Sequence, residues 1–478
     1  MSGTSPGIGE DRRSRLPELL AATAVGVYVL LVVGATTALL DGGAACPTWP
    51  ACSGDWLVSP GDSLPLLVAW AHRVFSLVVG AALLVAIGVA WQRKTGKRVR
   101  GALTVAGVLY PVQIVLGAIT AVEGATTTLA ATHLVVAMAI FSGVILALLW
   151  QLEVETPSGV GGDGTTTGTE WGTPAPLVSG PDSSTGDARR EPLATARAYL
   201  VLTKPKLWWL LCLVALAAMA LAAGPSMDVA TAIATIVGGV LAIAASGTFN
   251  NVLERDVDRR MARTADRPVA TAQVPPRRAT VFGLALAAAS VVVFVAFVNV
   301  LSAALGLLAI LFYSIAYTLV LKPNTPHNIV IGGAVGAFPA LIGWAAVTDT
   351  VGIPAVVLGG VIFLWTPAHF YNLALVYRED YARAGFPMLP VVRGAAVTRR
   401  HVMLYLGATL VSAVALGTTT RLGPVYALVV TVVGGAFLWT VLRLFRERDQ
   451  GAAWRAFHAS NAYLGSLLLA VLVDSLVV

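Results

Sequence analysis

Residues 230–268 decide how this chain folds; they read ATAIATIVGGVLAIAASGTF and then NNVLERDVDRRMARTADRP. The first part is a continuous apolar run, long enough as a helix to cross much of a bilayer, and a dense cluster of charge follows it. If the helix continues past Phe249, then Asn250, Glu254 and Asp258 recur every four residues and lie on one face. The stretch therefore predicts a membrane helix that ends in a column of polar side chains.

This polar column has the composition of a cation site. One amide and two carboxylates at a membrane edge are costly unless a partner compensates their charge. Carboxylates, with water and phosphate oxygens, are the usual ligands of Mg²⁺, so Asn250, Glu254 and Asp258 are the predicted metal ligands. The arginines that alternate with the acids are candidates for holding phosphate; they are Arg255, Arg259, Arg263 and Arg267. The spacing alone leaves an alternative, a solvated cytoplasmic loop whose charges stop membrane insertion.

The composition sets the class of protein. The chain is 57% hydrophobic and only 12% charged, whereas soluble domains are about 25% charged. We count thirteen apolar segments of membrane-spanning length, which predicts an all-α polytopic membrane protein surrounded by the lipid bilayer. The net charge of +7 comes from basic residues in the loops between these segments. It therefore indicates membrane orientation and not binding to nucleic acid.

The basic residues are distributed unevenly between alternate loops. Lys and Arg are concentrated in one set of loops, at 92–101, 251–278, 376–400 and 445–456. The alternate loops contain neither residue; they are 41–63, 124–127, 224–228 and 349–353. The asymmetry predicts a multi-pass protein of the cell membrane with its N-terminus and the Asn250 loop in the cytoplasm. Cys46 and Cys52 then lie outside, which is consistent with a disulfide between them, with free thiols as the alternative.

Residues 152–199 interrupt the pattern of apolar segments. Thr, Gly, Ser, Pro and acidic residues dominate most of this stretch, a composition typical of a flexible chain. We expect a disordered cytoplasmic linker at 152–199. It separates a four-helix domain, residues 1–151, from a nine-helix domain, residues 200–478.

A second charged stretch of the nine-helix domain runs from Trp365 to Gly394. His369 lies in its apolar part, and Arg378 and Asp380 lie at its cytoplasmic end. The orientation puts this stretch on the same side of the membrane as the Asn250 loop, so the two are expected to converge. Carboxylates and arginines together suit a site for Mg²⁺ and pyrophosphate, with an apolar cavity beneath it for a long hydrocarbon tail.

Several motifs occur in order along residues 196–477. They are LTKPK at 202–206, NNVLERDVDRRMART at 250–264, YTLVLKPNTPHNIVIGG at 317–333, GWAAVT at 343–348 and the Trp365–Gly394 stretch. On these motifs the domain resembles the UbiA-type intramembrane prenyltransferases and, within them, the branch that farnesylates protohaem IX, the haem O synthases. The resemblance implies transfer of the farnesyl group of farnesyl diphosphate to the vinyl group of haem b, which gives haem O and diphosphate.

The same resemblance assigns roles to individual residues. It places Mg²⁺ on Asn250, Glu254 and Asp258, with Glu254 at a position where the family usually has aspartate. Lys204 and neighbouring arginines are implied to neutralise the diphosphate. The catalytic set implied in full is Asn250, Glu254, Asp258, Lys204, Arg255, Arg259, Arg378 and Asp380.

Two positions of the second charged stretch differ from the aspartates that the superfamily resemblance leads us to expect. The second aspartate pair of the superfamily falls on Tyr377 and Tyr381, which leaves Asp380 as the nearest carboxylate.

His369 has two open interpretations. It is either a ligand of the substrate haem or a buried, hydrogen-bonded helix histidine.

The four-helix domain contains two histidines at matched depth. His72 and His133 each lie about 8–12 Å below the outer end of their apolar segment at about 1.5 Å per residue. Such a pair would clamp one haem axially, and an ordinary buried histidine at each position is the alternative. Residues 20–150, with CPTWPAC at 46–52 and WAHR at 70–73, resemble one half of haem A synthase, except that Ala69 replaces a family glutamate. The resemblance implies bound haem b, with haem A synthase and terminal-oxidase assembly proteins as candidate partners.

Two alternative functions stay open on the sequence. One is a haem-handling b-type membrane protein, against which Lys204, Asn250 and Asp258 argue. The other is a prenyltransferase that acts on a quinone precursor or a lipid. The TPHNIVIGG stretch at 325–333 and the missing second aspartate pair argue against that acceptor.

Overall fold

The computed structural model describes residues 15–52, 57–59, 61–154, 192–420 and 422–477. Within these residues, thirteen helices are long and apolar enough to cross a membrane. A helix satisfies its backbone hydrogen bonds internally, which a segment in contact with lipid requires. The prediction of an all-α, multi-pass membrane protein is confirmed.

Contacts divide the chain into two compact units, Met1–Gly161 and Gly162–Val478. The long helices of the first unit are α1 (Leu16–Leu39), α2 (Leu64–Gln92), α3 (Lys97–Glu123) and α4 (Thr127–Val154), with the short helix Gly42–Ala45 between α1 and α2. α1 packs against α2 and α4, and α3 packs against α4. The buried rings of Tyr28 on α1 and Phe141 on α4 lie 5.8 Å apart between their centroids and fill the space between these two helices.

The second unit is built from pairs of packed helices. In chain order its long helices are α5 (Trp208–Ala223), α6 (Val229–Leu253), α7 (Pro276–Phe297), α8 (Val300–Leu311), α9 (Ala334–Thr348), α10 (Ile353–Val376), α11 (Gly394–Thr420), α12 (Pro424–Glu447) and α13 (Gln450–Val477). The main pairs are α6 with α7, α10 with α11, α12 with α13, and α5 with α9. Small residues permit such close packing in membranes. A Cβ atom on Gly343 of α9 would lie 2.2 Å from the carbonyl oxygen of Ala215 on α5, so this approach needs glycine.

α8 changes its helical period as it reaches the end of α6. It continues as a π-helix, Phe312–Leu321, and then as the short helix Lys322–Asn324. Thr318 of the π-helix accepts a hydrogen bond of 3.2 Å from Nδ2 of Asn250. π-Helical turns are rare and occur frequently at functional sites. This segment therefore forms one wall of the region where the polar column of α6 ends.

The predicted linker has shorter limits than the sequence suggested. Its central part, residues 155–191, lies outside the described residues, but α4 extends to Val154 and a helix covers Pro192–Leu202. Positions 152–154 and 192–199 are therefore helical. For the helix Pro192–Leu202 the cause is tertiary packing, because Ala198 and Leu202 are buried against Val269 and Val274. A flexible connection between two domains stays a prediction for the remaining residues.

Candidate active site

The polar column at the end of α6 is buried. Asn250 lies in the last turn of α6, Glu254 follows its end, and Asp258 ends the short helix Arg255–Asp258. Their relative exposures are only 2%, 5% and 2%. A solvated stop-transfer loop would expose these groups to water, so burial favours the cation-site interpretation.

Two cations neutralise the carboxylates of the column. Lys322 Nζ lies 2.5 Å from Glu254 Oε1. Arg267 Nη1 donates to both oxygens of Asp258, at 2.8 and 2.7 Å, and lies 3.7 Å from Glu254 Oε2. Because one guanidinium nitrogen contacts both carboxylates, the two acids approach a common point. A cation is already held at that point.

Lys204 joins the column through Asn250. Its ammonium group donates to Asn250 Oδ1 and, at 3.3 Å, to the Tyr313 hydroxyl. Thr318 holds the other end of the same amide, which fixes the direction of its oxygen. Lys204 has a positive φ of 54°, a conformation that costs energy for a residue with a side chain and recurs at functional sites.

The charges of the site respond differently to burial. Burial raises the pKa of Asp258, and Arg267 offsets this only in part. Burial would also raise the pKa of Glu254, but Lys322 and Lys204 outweigh it and the pKa lies below its ordinary value. Burial lowers the pKa of Lys204 to about 7, and the neighbouring charges of Arg267 and Lys322 reinforce the effect. An anion added beside Lys204 would stabilise its charged form.

An apolar cavity begins beside Lys204. Tyr313 shares its mouth, and Cys212 lies in its wall together with side chains from α5, α6, α8 and α9. The lining positions on α6 run from Thr235 to Gly247, which is about 18 Å at about 1.5 Å per residue. An elongated hydrocarbon chain fits a cavity of this form, with its polar end at the column.

Three predicted arginines lie outside the buried cluster. Arg255 and Arg259 both pair with the exposed Asp256, at 3.3 and 3.2 Å. Arg378 is exposed and makes no polar contact with any described residue. Residues adjacent to the acids in sequence project from other faces of the helical turns, so adjacency was a poor guide.

The sequence identified only one of the two cations that take their place. Arg267 was one of four candidate phosphate ligands, and Lys322 was not singled out. Lys322 is the first residue of the short helix that follows the π-helical segment, far from Glu254 along the chain. The available signal was its position, a lysine directly after an apolar run on the predicted cytoplasmic side.

Asp380 contacts the Asn250 loop without reaching the column. Its two oxygens accept hydrogen bonds from the backbone amides of Ala262 and Arg263, at 3.3 and 3.1 Å, and it pairs with Arg383. These contacts hold the loop in place. The structure therefore favours a positioning role for Asp380 over direct contact with metal.

His369 is part of a packed aromatic stack. Its ring lies between Trp365 and Phe457, with centroid distances of 4.4 and 4.3 Å. Its Nδ1 is 2.6 Å from the Ser460 hydroxyl. His369 is also absent from the cavity wall. The packing favours the interpretation of a buried, hydrogen-bonded histidine over that of a haem ligand.

The histidines of the first unit have unsatisfied ring nitrogens. Nδ1 of His72 and Nδ1 of His133 are buried and have no hydrogen-bond partner among the described residues. Each ring packs against a glycine: a Cβ on Gly34 would lie 2.9 Å from His72 Cε1, and one on Gly117 would lie 3.1 Å from His133 Cε1. Buried ring nitrogens without a partner call for a ligand, and one ligand bound by both imidazoles would satisfy this requirement.

A disulfide loop is attached next to His72. Cys46 and Cys52 form a disulfide with a Cα–Cα distance of 4.8 Å. Arg73 donates hydrogen bonds to the carbonyl oxygens of Cys46 and Thr48, at 2.8 and 2.6 Å. Both cysteines pack on Ala69, which is buried at the position where the family resemblance places a glutamate. The tight packing leaves little room for a longer side chain there.

Comparison with known proteins identifies the class of this fold and site. The UbiA prenyltransferase family matches residues 211–467, more than half of the chain, and the chain belongs to this family. A solved structure of digeranylgeranylglyceryl phosphate synthase covers 59% of this chain and 99% of its own, with 16% identity and a TM-score of 0.51, which supports the fold. Residues 11–145 match a second family, described as cytochrome oxidase assembly protein.

Full-length relatives narrow the assignment. The chain is 55% identical to a protoheme IX farnesyltransferase of Haloarcula marismortui over 463 residues, 96% of this chain and 98% of the relative. It is 52% identical to a protoheme IX farnesyltransferase of Halobacterium salinarum over 465 residues, 96% of this chain and 98% of the relative. The similarity extends through both units, so the resemblances found in the sequence are confirmed.

Proposed function

We propose that this chain transfers the farnesyl group of farnesyl diphosphate to the 2-vinyl group of haem b, giving haem O and diphosphate. The observation that carries the proposal is the buried column of Asn250, Glu254 and Asp258 beside the mouth of an apolar cavity. Relatives that are 52% and 55% identical over nearly the whole chain have the name protoheme IX farnesyltransferase, which supports this acceptor.

Asn250, Glu254 and Asp258 are the proposed ligands of Mg²⁺. Their oxygens are the hard donors that this ion prefers. Arg267 Nη1 already contacts both carboxylates, so a cation fits between them. Mg²⁺ held there would supply positive charge to the departing diphosphate. Glu254 serves in this set although its side chain is one methylene longer than the aspartate usual in the family.

Three cations of the chain bind the diphosphate in this proposal. Lys204, Lys322 and Arg267 neutralise the column in the free protein, and their N–H donors turn to phosphate oxygens when substrate arrives. Preorganised positive charge aimed at a leaving group is usually the largest catalytic contribution. The C–O bond then ionises, its electron pair leaves with diphosphate, and an allylic cation remains in the apolar cavity away from water.

Haem b supplies the nucleophile. The π electrons of its 2-vinyl group form the new C–C bond to the farnesyl cation. One water molecule adds to the resulting cation beside the porphyrin ring, and one proton is released, which balances the reaction. The alternative acceptor is a quinone precursor or a lipid. It would attack the farnesyl cation that the same ionisation step produces.

The test is a reaction of the purified full chain with haem b, farnesyl diphosphate and Mg²⁺ in detergent. Extracted haems are separated by chromatography and weighed by mass spectrometry. We expect the mass of haem O, its loss with EDTA, and its loss in Asp258→Asn. The matched control is Asp256→Asn, a neighbouring carboxylate that is exposed and belongs to no part of the proposed site. Unchanged haem b together with farnesylation of a quinone precursor would show that the chain is a prenyltransferase with the alternative acceptor.

We also propose that the first unit binds haem b between His72 and His133. The support is that the buried Nδ1 atoms of both imidazoles have no hydrogen-bond partner among the described residues. The expected spectrum is that of a low-spin haem with two histidine ligands, lost in His72→Ala and in His133→Ala but retained in Asp258→Asn. Haem A synthase and terminal-oxidase assembly proteins are the proposed partners that would receive haem from this chain.

The membrane orientation is a proposal as well. The basic loops support a cytoplasmic position for the N-terminus and the polar column, and an outer position for the loop of Cys46 and Cys52. A membrane-impermeant thiol reagent applied after reduction tests this in intact cells. Labelling of Cys46 and Cys52 from outside is expected, and labelling only after lysis would reverse the orientation.

A further inference from the structure

The apolar cavity beside Lys204 has a far end that three helices form together. The lining positions farthest from Lys204 are Ala215 on α5, Thr235 on α6 and Ile342 on α9. α5 and α9 run away from the polar column along the chain, whereas α6 runs towards it. The cavity therefore deepens towards higher residue numbers on α5 and α9, and towards lower residue numbers on α6.

One helical turn deeper, the same three helices share a packed floor. Met219 of α5, Ala232 of α6 and Ala346 of α9 form one buried hydrophobic cluster. Met219 and Ala346 each follow a far-end lining residue by four positions, and Ala232 precedes Thr235 by three. Residues at these spacings lie on one face of a helix, so the cluster continues the three walls and closes the cavity.

Met219 is the one long side chain of this floor. Its two partners are alanines, which contribute only a methyl group each. α5 and α9 are in backbone contact at this level, because the carbonyl oxygen of Ala215 packs against Gly343, where no Cβ would fit. The cavity cannot continue between these helices. Methionine is unbranched and fills irregular space, and here it is fully buried, so the depth of the cavity depends on it.

The length of the cavity matches one class of prenyl group. Its wall on α6, from Thr235 to Gly247, is about 18 Å long at about 1.5 Å per residue. An extended carbon chain advances about 1.25 Å per bond when its C–C bonds are about 1.5 Å long, so a farnesyl tail spans about 14 Å and a geranylgeranyl tail about 19 Å. The shorter tail ends before the floor, whereas the longer one reaches it.

We propose that Met219 sets the longest prenyl group that this chain accepts. The proposal rests on the proposed function, because the tail in the cavity is that of the prenyl diphosphate. The polar end of the substrate is held beside Lys204, so each added isoprene unit carries the tail deeper. A tail one unit longer than farnesyl would have to displace the Met219 side chain from a packed cluster, which is unfavourable in a dense interior.

The test offers the purified full chain equal concentrations of farnesyl and geranylgeranyl diphosphate, with haem b and Mg²⁺ in detergent. Mass spectrometry of the extracted haems gives the ratio of the two products. Met219→Ala should raise the ratio of geranylgeranyl to farnesyl product about 10- to 200-fold, the discrimination that one methylene gives in an apolar pocket. The control is Met403→Ala, which removes an equally buried methionine of α11 outside the cavity wall and should keep the wild-type ratio.

A second variant tests the far end in the opposite direction and decides the proposal if Met219→Ala does not fold. Thr235→Leu adds bulk there, so kcat/KM should fall about 10- to 100-fold for farnesyl diphosphate and stay within about twofold for geranyl diphosphate, which is one unit shorter. Equal losses with both donors would overturn the inference. A wild-type product ratio in Met219→Ala, with haem O still formed, would also overturn it and leave the proposed function intact. A wild-type chain that prenylates no haem would remove the proposed function and this inference with it.

Discussion

The two units solve the problem of buried polar groups in opposite ways. In the second unit, Glu254 and Asp258 are paired with Lys322 and Arg267, so the column is electrically satisfied before any ligand arrives. In the first unit, the Nδ1 atoms of the two candidate haem ligands have no hydrogen-bond partner among the described residues. One site is complete without its ligand, and the other is incomplete.

This difference has consequences for how each site behaves. Removing one member of a buried ion pair leaves an unpaired charge, so changes in the column are expected to cost folding stability as well as activity. Removing an imidazole that has no protein partner costs little stability and mainly costs ligand binding. The predictions below follow from this contrast.

The largest effect is expected for the Lys322–Glu254 pair. Lys322→Met and Glu254→Gln should each lower the free energy of unfolding by about 3–5 kcal/mol, because the remaining charge is buried. The double variant should recover much of that loss but remain inactive. Denaturant unfolding in detergent, analysed as a double-mutant cycle, measures this coupling. Additive losses would mean that the pair is not coupled in the folded protein.

A smaller effect is expected at Gly34 in the first unit. A Cβ there would lie 2.9 Å from His72 Cε1 and would push the imidazole out of place, so Gly34→Ala should weaken haem b binding about 10- to 100-fold. Absorbance titration of the haem band measures the affinity. The control is Gly88→Ala on α2, where the new methyl group meets nothing within 4 Å. Equal affinity in both variants would argue against His72 as a ligand.

The next effect in size is expected at Cys212, which lies in the wall of the apolar cavity and reports whether it is occupied. It is the one free cysteine of the chain, since Cys46 and Cys52 are bonded to each other. Farnesyl diphosphate at about ten times its dissociation constant should slow alkylation of Cys212 about tenfold. Inorganic diphosphate, which has no hydrocarbon tail, should protect it much less. Equal protection by both would mean that the tail lies elsewhere, and Cys212→Ser gives the background.

The sequence was sufficient for the features that depend on local periodicity. The helix through residues 230–253 and the four-residue spacing of Asn250, Glu254 and Asp258 follow directly from side-chain pattern. The side-chain pattern does not show which residues pair with these groups. Lys322 reaches Glu254 from 68 residues away, directly after a π-helical segment, and neither that contact nor the change of helical period is visible in a pattern.

The same limit applies to two residues whose neighbours the sequence could not identify. Asp380 is a carboxylate near the expected second motif, but its oxygens are occupied by the backbone amides of Ala262 and Arg263. His369 looked equally suited to haem and to packing until its neighbours Trp365 and Phe457 were known. In each case the residue type was informative, and the three-dimensional neighbours decided its role.

The smallest effect is expected for the arginines next to the acids in sequence. Arg255 and Arg259 pair with Asp256 at the surface, where such ion pairs contribute about 0–1 kcal/mol. Arg255→Gln and Arg259→Gln should therefore retain haem O formation within about twofold of wild type. Arg267→Gln, in the same loop but paired with buried Asp258, should lose it. Equal losses in all three would show that the diphosphate recruits the whole loop, and the contrast between its buried and exposed cations would disappear.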